Sequence, residues 1–166
     1  GDILLGGVSL KRYSQSEWRK KCGVVMQEGF IFSDTIAGNI GLIDEIPDRE
    51  KIDRAVETAN IRDYIEGLPL GYNTRIGNDG QGLSTGQKQR LLIARAVYKD
   101  PDFIFFDEAT NALDATNERT IMENLGTFFK GKTVVIVAHR LSTVKNADQI
   151  IVLDKGEVAE TGTHRE

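Results

Sequence analysis

Four continuous apolar runs divide the chain, and each is short and rich in β-branched or aromatic residues. Runs of this kind are typical of strands that are buried on both faces of a parallel sheet. They predict strands at residues 23–26, 102–106, 133–138 and 149–153. Apolar residues at helical spacing predict helices at residues 84–98, 115–128 and 142–146. Because strands and helices alternate, we expect an α/β fold with right-handed crossovers.

The stretch of residues 35–70 differs from the rest because it contains no convincing strand. Asn60 is placed to cap a short helix that ends at Gly67. The apolar residues before it follow helical spacing, at Ile52, Ala55, Val56 and Ala59. We therefore expect one domain with a helical insertion that starts at about residues 35–70 and continues through the next helix to about residue 98. Residues 1–34 and 99–166 are then the α/β core and its strands.

Both ends of the chain have a different pattern, in which polar and apolar residues alternate around glycine turns. The two stretches read "DILLGGVSL" and "IIVLDKGEVAETG". Alternation of this kind, broken by a glycine-containing turn, predicts hairpin strands. We expect them to belong to a smaller antiparallel sheet.

Composition narrows the class of protein. A length of 166 residues with 40% hydrophobic content predicts a single core. The lone cysteine, Cys22, has no partner for an internal disulfide, which favours a reducing compartment. A net charge of −4 gives no electrostatic reason to expect nucleic acid as a partner. The apolar runs are also shorter than the roughly 20 residues that a membrane-spanning helix needs.

The stretch "GTFFKGKT", residues 126–133, fits the phosphate-loop pattern G-x-x-x-x-G-K-[ST] in every position. A phosphate loop needs a strand before it and a helix after it. Here the pattern predicts a helix before Gly126 and a strand from Thr133, which is the reverse order. We therefore interpret the match as coincidental and place Lys132 in an ordinary turn.

Two stretches further upstream carry candidate chemistry. In "LSTGQ", Ser84 can cap the following helix, and a helix N-terminus with a serine hydroxyl and the Gly86 amide is an anion site. The alternative is a plain helix cap. At the end of the strand "FIFF", Asp107 can hold Mg²⁺ while Glu108 orients or deprotonates an attacking water. The alternative is a solvated or helix-capping acidic pair.

These stretches, in their order along the chain, resemble the nucleotide-binding domain of ATP-binding cassette (ABC) transporters. Residues 83–87 match four of five positions of the family's L-S-G-G-Q signature, with Thr85 in place of a glycine. Asp107 and Glu108 match its Walker B acids. "NALD" matches its S-A-L-D loop through Asp114, apart from Asn111 in place of serine. His139, in "AHRLST", matches the switch histidine, and Gln27 matches the glutamine of the Q-loop.

The resemblance implies the fold, the cofactors and the role of each residue. The fold would be the P-loop NTPase-type core of an ABC ATPase, a parallel sheet flanked by helices, with remnants of an antiparallel β subdomain. ATP and Mg²⁺ would be the ligands. Glu108, His139 and Gln27 would be catalytic, and Asp107 and Gln27 would hold the metal. The ATP-binding residues would be Ser84, Thr85, Gly86, Gln87 and Asp114.

The resemblance also implies partners and a location. Such domains work as head-to-tail pairs at the cytoplasmic face of the cell membrane, here a bacterial inner membrane. The transmembrane domains would contact the Gln27 loop and residues 75–80, including Arg75 and Asp79. Residues 27–40 and 71–87 resemble the exporter branch, with peptide or bacteriocin exporters as the nearest likeness. No nucleic acid partner is expected.

Three further expectations come from the same resemblance. The family's phosphate loop precedes "GDILLGGVSL", so the chain resembles a domain truncated at its N-terminus, and we expect it alone neither to hydrolyse ATP nor to bind it tightly. A soluble ABC-type ATPase of translation or DNA maintenance is the alternative function. A non-catalytic interaction module is a third reading, which the intact Asp107, Glu108 and His139 disfavour.

Overall fold

The computed structural model describes residues 1–77, 80 and 82–164. Its strands are β1 (Leu4–Leu5), β2 (Val8–Ser9), β3 (Cys22–Val25), β4 (Asp34–Thr35), β5 (Arg75–Ile76), β6 (Phe103–Asp107), β7 (Thr133–Val137), β8 (Ile150–Asp154) and β9 (Glu157–Gly162). Its α-helices are α1 (Gln15–Lys21), α2 (Ile36–Ile40), α3 (Arg49–Thr58), α4 (Arg62–Glu66), α5 (Thr85–Lys99), α6 (Ala115–Phe128) and α7 (Leu141–Val144). Short 3₁₀ helices cover Leu10–Arg12 and Gly71–Asn73.

A three-stranded parallel sheet, in the order β3-β6-β7, forms the centre of the fold. In its register Val25 lies opposite Phe106, and Asp107 lies opposite Val137. The predicted strands at residues 23–26, 102–106 and 133–138 are therefore confirmed to within a residue at each end. All three strands run the same way, so their carboxyl ends meet at one edge of the sheet, where ligands bind in α/β folds.

The sequence prediction was wrong about the burial of two strands. In β7 every second residue is exposed, and most of β8 is exposed, with Leu153 showing 68% of its surface. Strand β8 does not join the parallel sheet; it pairs with β9 in an antiparallel hairpin. A continuous apolar run shows that both faces of a strand can be buried, but not that they are. Among the described residues nothing covers the exposed faces of β7 and β8.

Helices α2 and α3 pack against α5, and α4 packs against α3. The four apolar positions that the pattern selected are buried, namely Ile52, Ala55, Val56 and Ala59. Helix α5 buries Leu91 and Ile93 in the same core, and burying one such side chain contributes about 1.5–3 kcal/mol. Asn60 does not cap α4, because Ile61 occupies the N-cap and Asn60 has a left-handed backbone with φ +52°.

Both chain ends form the expected hairpins, but these are separate two-stranded ladders rather than one sheet. Between β1 and β2, Gly6 and Gly7 have φ values of +56° and +81°. Two consecutive positive φ values define the tight hairpin turn that glycine favours. Lys155 and Gly156 repeat this arrangement between β8 and β9.

The coincidental phosphate-loop match has the helix–turn–strand order that was predicted. Helix α6 ends at Phe128 and β7 begins at Thr133. The Lys132 ammonium donates to Asp100 Oδ1 at 2.8 Å and to the Pro101 carbonyl at 3.0 Å, so it joins β7 to the start of β6. In the part of the chain that the structure describes, no helix is both long and apolar enough to cross a membrane.

Candidate functional site

The candidate site lies at the carboxyl ends of β6 and β7. Asp107 is the last residue of β6, and the amide of Glu108 donates to the Val137 carbonyl at 3.0 Å. This bond holds the first residue beyond β6 beside the last residue of β7. The residue types explain where the two strands end. Aromatic and β-branched residues favour the strand, and the polar residues that follow them do not.

Glu108 and His139 are in direct contact there. His139 Nε2 lies 2.5 Å from Glu108 Oε1, and the Asn111 amide donates to Glu108 Oε2 at 2.5 Å. Both carboxylate oxygens therefore have a partner. The Glu108 side chain is 20% exposed and the imidazole 74% exposed, so the acid is held while the histidine faces solvent. Glu108 also has a left-handed backbone with φ +50°, which is uncommon outside glycine.

Asp107 and Gln27 are the residues expected to hold a metal ion. The Asp107 carboxylate is exposed and has no hydrogen-bond or ion-pair partner among the described residues. Gln27 is also exposed and lies two residues beyond the end of β3, the strand that pairs with β6. No cluster of three or more His, Cys, Asp or Glu side chains forms a metal site within the described ranges. A single free carboxylate nevertheless fits Mg²⁺, which keeps waters and takes substrate phosphates as ligands.

The signature residues form the N-terminus of α5. Ser84 Oγ accepts from the Gln87 amide at 3.2 Å, and Gln87 Oε1 accepts from the Ser84 amide at 2.9 Å, which is a capping box. The hydroxyl proton of Ser84 and the amides of Thr85 and Gly86 are left to donate. A side chain at Gly86 would meet the Ala112 carbonyl at 3.5 Å. The signature turn thus abuts the loop that follows Glu108.

Asp114 caps α6. Its Oδ1 accepts from the amides of Thr116 and Asn117 at 3.1 and 3.0 Å, and its Oδ2 accepts from the Asn117 side chain at 2.6 Å. These hydrogen bonds, that of the Asn117 side chain first, hold the pKa of Asp114 below its usual value. Asp114 can cap α6 and also contact a nucleotide, because its carboxylate is exposed.

The segments expected to face membrane domains lie together. Arg75 in β5 pairs with Thr35 in β4, and its guanidinium donates to the Ser33 carbonyl at 3.5 Å. Gly77 has φ +94° and approaches the Phe32 carbonyl so closely that a side chain would clash at 2.8 Å. Phe30, which follows the Gln27 loop, is 63% exposed on this side. Asp79 lies outside the described residues.

Sequence reasoning missed two parts of the site. It treated Asn111 only as a departure from a serine, although its amide holds Glu108. It also passed over Glu118, a buried carboxylate on α6 that binds Thr110, Arg140 and Thr143. The one available signal was spacing, since Glu118 stands four residues after Asp114, the residue that caps α6.

Comparisons with known proteins identify the family of the chain. The sequence model that describes the ABC transporter family matches residues 1–111. The chain is 42% identical over its full length to an ATP-dependent lipid A-core flippase of Burkholderia pseudomallei, of which it covers 28%. It is 46% identical over its full length to the toxin RTX-I translocation ATP-binding protein of Actinobacillus pleuropneumoniae, of which it covers 24%.

A solved structure gives the same result for the fold. A bacterial Atm1-family ABC exporter with ATP bound matches 99% of this chain with a TM-score of 0.93 and 40% identity. The chain covers 29% of that exporter, and it spans about a quarter of the length of the relatives it matches. The family model, the relatives and the shared fold together show that this chain belongs to the ABC transporter family.

Proposed function

We propose that this chain is part of the ATP-hydrolysing motor of a membrane exporter. The observation that carries the proposal is the contact between Glu108 and His139, with the free carboxylate of Asp107 beside it, at the carboxyl ends of two parallel strands. A carboxylate, an imidazole and a potential metal ligand at this edge suit phosphoryl transfer to water.

The two central residues take different steps in the proposed reaction. Glu108 orients the attacking water and accepts its proton, and the Asn111 amide keeps the carboxylate in place for this purpose. His139 is exposed enough to turn its Nε2 hydrogen from Glu108 to the terminal phosphate.

Asp107 and Gln27 would hold Mg²⁺ in this proposal. The metal, when bound, neutralises charge on the phosphate oxygens. Asp107 would provide an oxygen ligand directly or through water, and the side-chain amide of Gln27 would provide a second oxygen. Both side chains are exposed and available for this role.

The signature turn serves the second motor of a head-to-tail pair. No hydrogen bond among the described residues joins Ser84, Thr85, Gly86 or Gln87 to Glu108 or His139. An anion site that makes no hydrogen bond to the acid–histidine pair fits a composite site, in which each signature contacts the nucleotide of its partner. The loop that leads to Asp114 lies beside this turn through Ala112 and Leu113, and Asp114 would communicate between the two sites.

Membrane domains are the other proposed partner, which places the motor at the cytoplasmic face of the cell membrane. The Gln27 loop and residues 75–80 are the proposed contacts, and of these Arg75 and Gly77 lie against Ser33 and Phe32. The exposed ring of Phe30 adds apolar surface there. The cargo is a peptide or another substrate. One relative is named for lipid A-core and another for a toxin, so the cargo class differs within the family.

Replacing Glu108 tests the proposal in the full-length protein. Glu108→Gln keeps the shape of the side chain and removes the base, so we expect ATP turnover to fall by about a hundredfold or more while nucleotide binding is retained. Phosphate release and nucleotide affinity are the measurements. Glu123→Gln, an exposed acid on α6, is the matched control and should keep the normal rate. Normal turnover by Glu108→Gln would remove Glu108 as the base.

A further inference from the structure

A buried carboxylate lies behind the acid–histidine pair. Glu118 is 7% exposed and is the one buried charged residue within the described part of the chain. Its Oε1 accepts from the Thr110 hydroxyl at 3.2 Å and from the Thr143 hydroxyl at 3.0 Å. Its Oε2 accepts from the Arg140 guanidinium at 2.5 Å. Three donors thus satisfy one carboxylate.

The donors come from the two segments that carry the candidate catalytic pair. Thr110 follows Glu108 by two residues, and Arg140 directly follows His139. Thr143 lies on α7, the helix that continues from His139. Glu118 stands on the first turn of α6, whose N-terminus Asp114 fixes. One side chain on a rigid helix therefore joins the loop after β6 to the loop after β7.

Such an arrangement is costly unless each group is satisfied, because a buried carboxylate loses its hydration. The Glu118 network meets this condition through one charged and two hydroxyl donors. Networks of this kind specify geometry more than they add stability, since any shift of a partner leaves a buried polar atom unpaired. The geometry that this network specifies is the distance between residues 108–111 and residues 139–143.

We propose that Glu118 is a positioning residue for ATP hydrolysis. It holds Arg140 and Thr143 against Thr110, and this keeps His139 Nε2 within reach of Glu108 and of a phosphate beside it. Glu118 touches neither the water nor the nucleotide and acts through His139. The inference rests on the proposed function, because it assigns His139 and Glu108 to the reaction.

The first test measures how firmly the His139 segment is held in the nucleotide-free full-length protein. Glu118→Gln keeps the size of the side chain but replaces an acceptor oxygen with a donor NH₂, which leaves one of the three donors unpaired. We expect amide hydrogen exchange of residues 139–147 to rise about tenfold, with exchange in α3 and α5 unchanged. Glu123→Gln should exchange like the wild type.

The second test measures turnover. Glu118→Gln should lower kcat about tenfold and leave KM within about twofold, as expected for a group that orients a reacting residue. In a His139→Ala background the same change should have no further effect on kcat. Thr143→Val, which removes one donor and leaves the Glu118–Arg140 ion pair, should behave like Glu118→Gln with a smaller effect. This variant serves if Glu118→Gln does not fold.

The outcomes separate this inference from the proposed function. Normal exchange and normal kcat in both Glu118→Gln and Thr143→Val, with Glu108→Gln inactive, would overturn the positioning role alone. A loss of kcat that is equally large in the His139→Ala background would also overturn it, because the effect would not pass through His139. Normal turnover by Glu108→Gln would instead overturn the proposed function.

Discussion

At the scale of single residues, the site depends on a glutamate with an unfavourable backbone. The φ of +50° at Glu108 costs about 1–2 kcal/mol, which the Val137, Asn111 and His139 contacts offset. Strain of this kind is found where a side chain must be directed to one place. Glu108 and His139 could be predicted because their types and order form a motif. The roles of Asn111 and Glu118 could not, because an amide or a helix acid shows its partners only in three dimensions.

Asp114 provides a prediction about pH at this scale. Because the fold lowers its pKa, the stabilisation by the charged form is complete above the usual aspartate pKa, about 3.9. It is lost as the pH falls through the lower folded-state value. Asp114→Asn keeps the helix cap and removes the charge, so we expect it to be less stable than the wild type at neutral pH and equal to it in acid. Urea unfolding across this pH range is the measurement.

Two controls accompany this pH series. Asp114→Ala removes the cap as well and should stay less stable than Asp114→Asn at every pH. Asp148→Ala, at an exposed position, should leave the stability unchanged. A constant difference between wild type and Asp114→Asn at all pH values would show that the carboxylate charge contributes nothing to the cap.

At the scale of elements, α5 connects the signature turn to the Gln27 loop. Its Arg95 donates to the Phe30 carbonyl at 2.9 Å, to the Asn39 carbonyl at 2.8 Å and to Asn39 Oδ1 at 3.1 Å. Burial lowers the pKa of Arg95. Its guanidinium is bound by three backbone or amide oxygens rather than by a carboxylate. Asn39 in turn binds the Phe32 backbone through both ends of its amide. The loop after β3 is therefore fixed by helix side chains.

Removal of Arg95 tests this connection. Arg95→Met keeps the apolar stem and removes all three hydrogen bonds, so we expect the free energy of unfolding to fall by about 2 kcal/mol. Exchange protection of residues 30–40 should fall more than that of the parallel sheet. Arg54→Met, on the exposed face of α3, is the matched control. Unchanged protection of residues 30–40 in Arg95→Met would mean that the loop is held by other contacts.

The elements also show which sequence patterns were sufficient to predict secondary structure and burial. Helices α3, α5 and α6 were predicted because each repeats apolar residues at helical spacing over two or more turns. The burial of β7 and β8 was predicted wrongly, because a run of valine and isoleucine looks the same whether one face or two are covered. Asn60 was assigned to a cap from its residue type alone, whereas its backbone places it in the turn before Ile61.

At the scale of the whole molecule, the fold brings sequence-distant groups to one edge of a three-stranded sheet. Residues 107–111 and 139–143 meet there because β6 and β7 are parallel neighbours. The α/β class and this meeting point follow from strand–helix alternation. The pairing of Glu108 with His139 to within hydrogen-bond distance required the structure.

The central claim is that Glu108 and His139 act as one unit in ATP hydrolysis. Single-turnover phosphate release by the full-length protein tests it with Glu108→Gln, His139→Ala and the double variant. Residues of one catalytic unit are not additive, so we predict that the double variant retains the residual rate of Glu108→Gln to within about twofold. A double variant whose rate falls by the product of the two single effects would contradict the account.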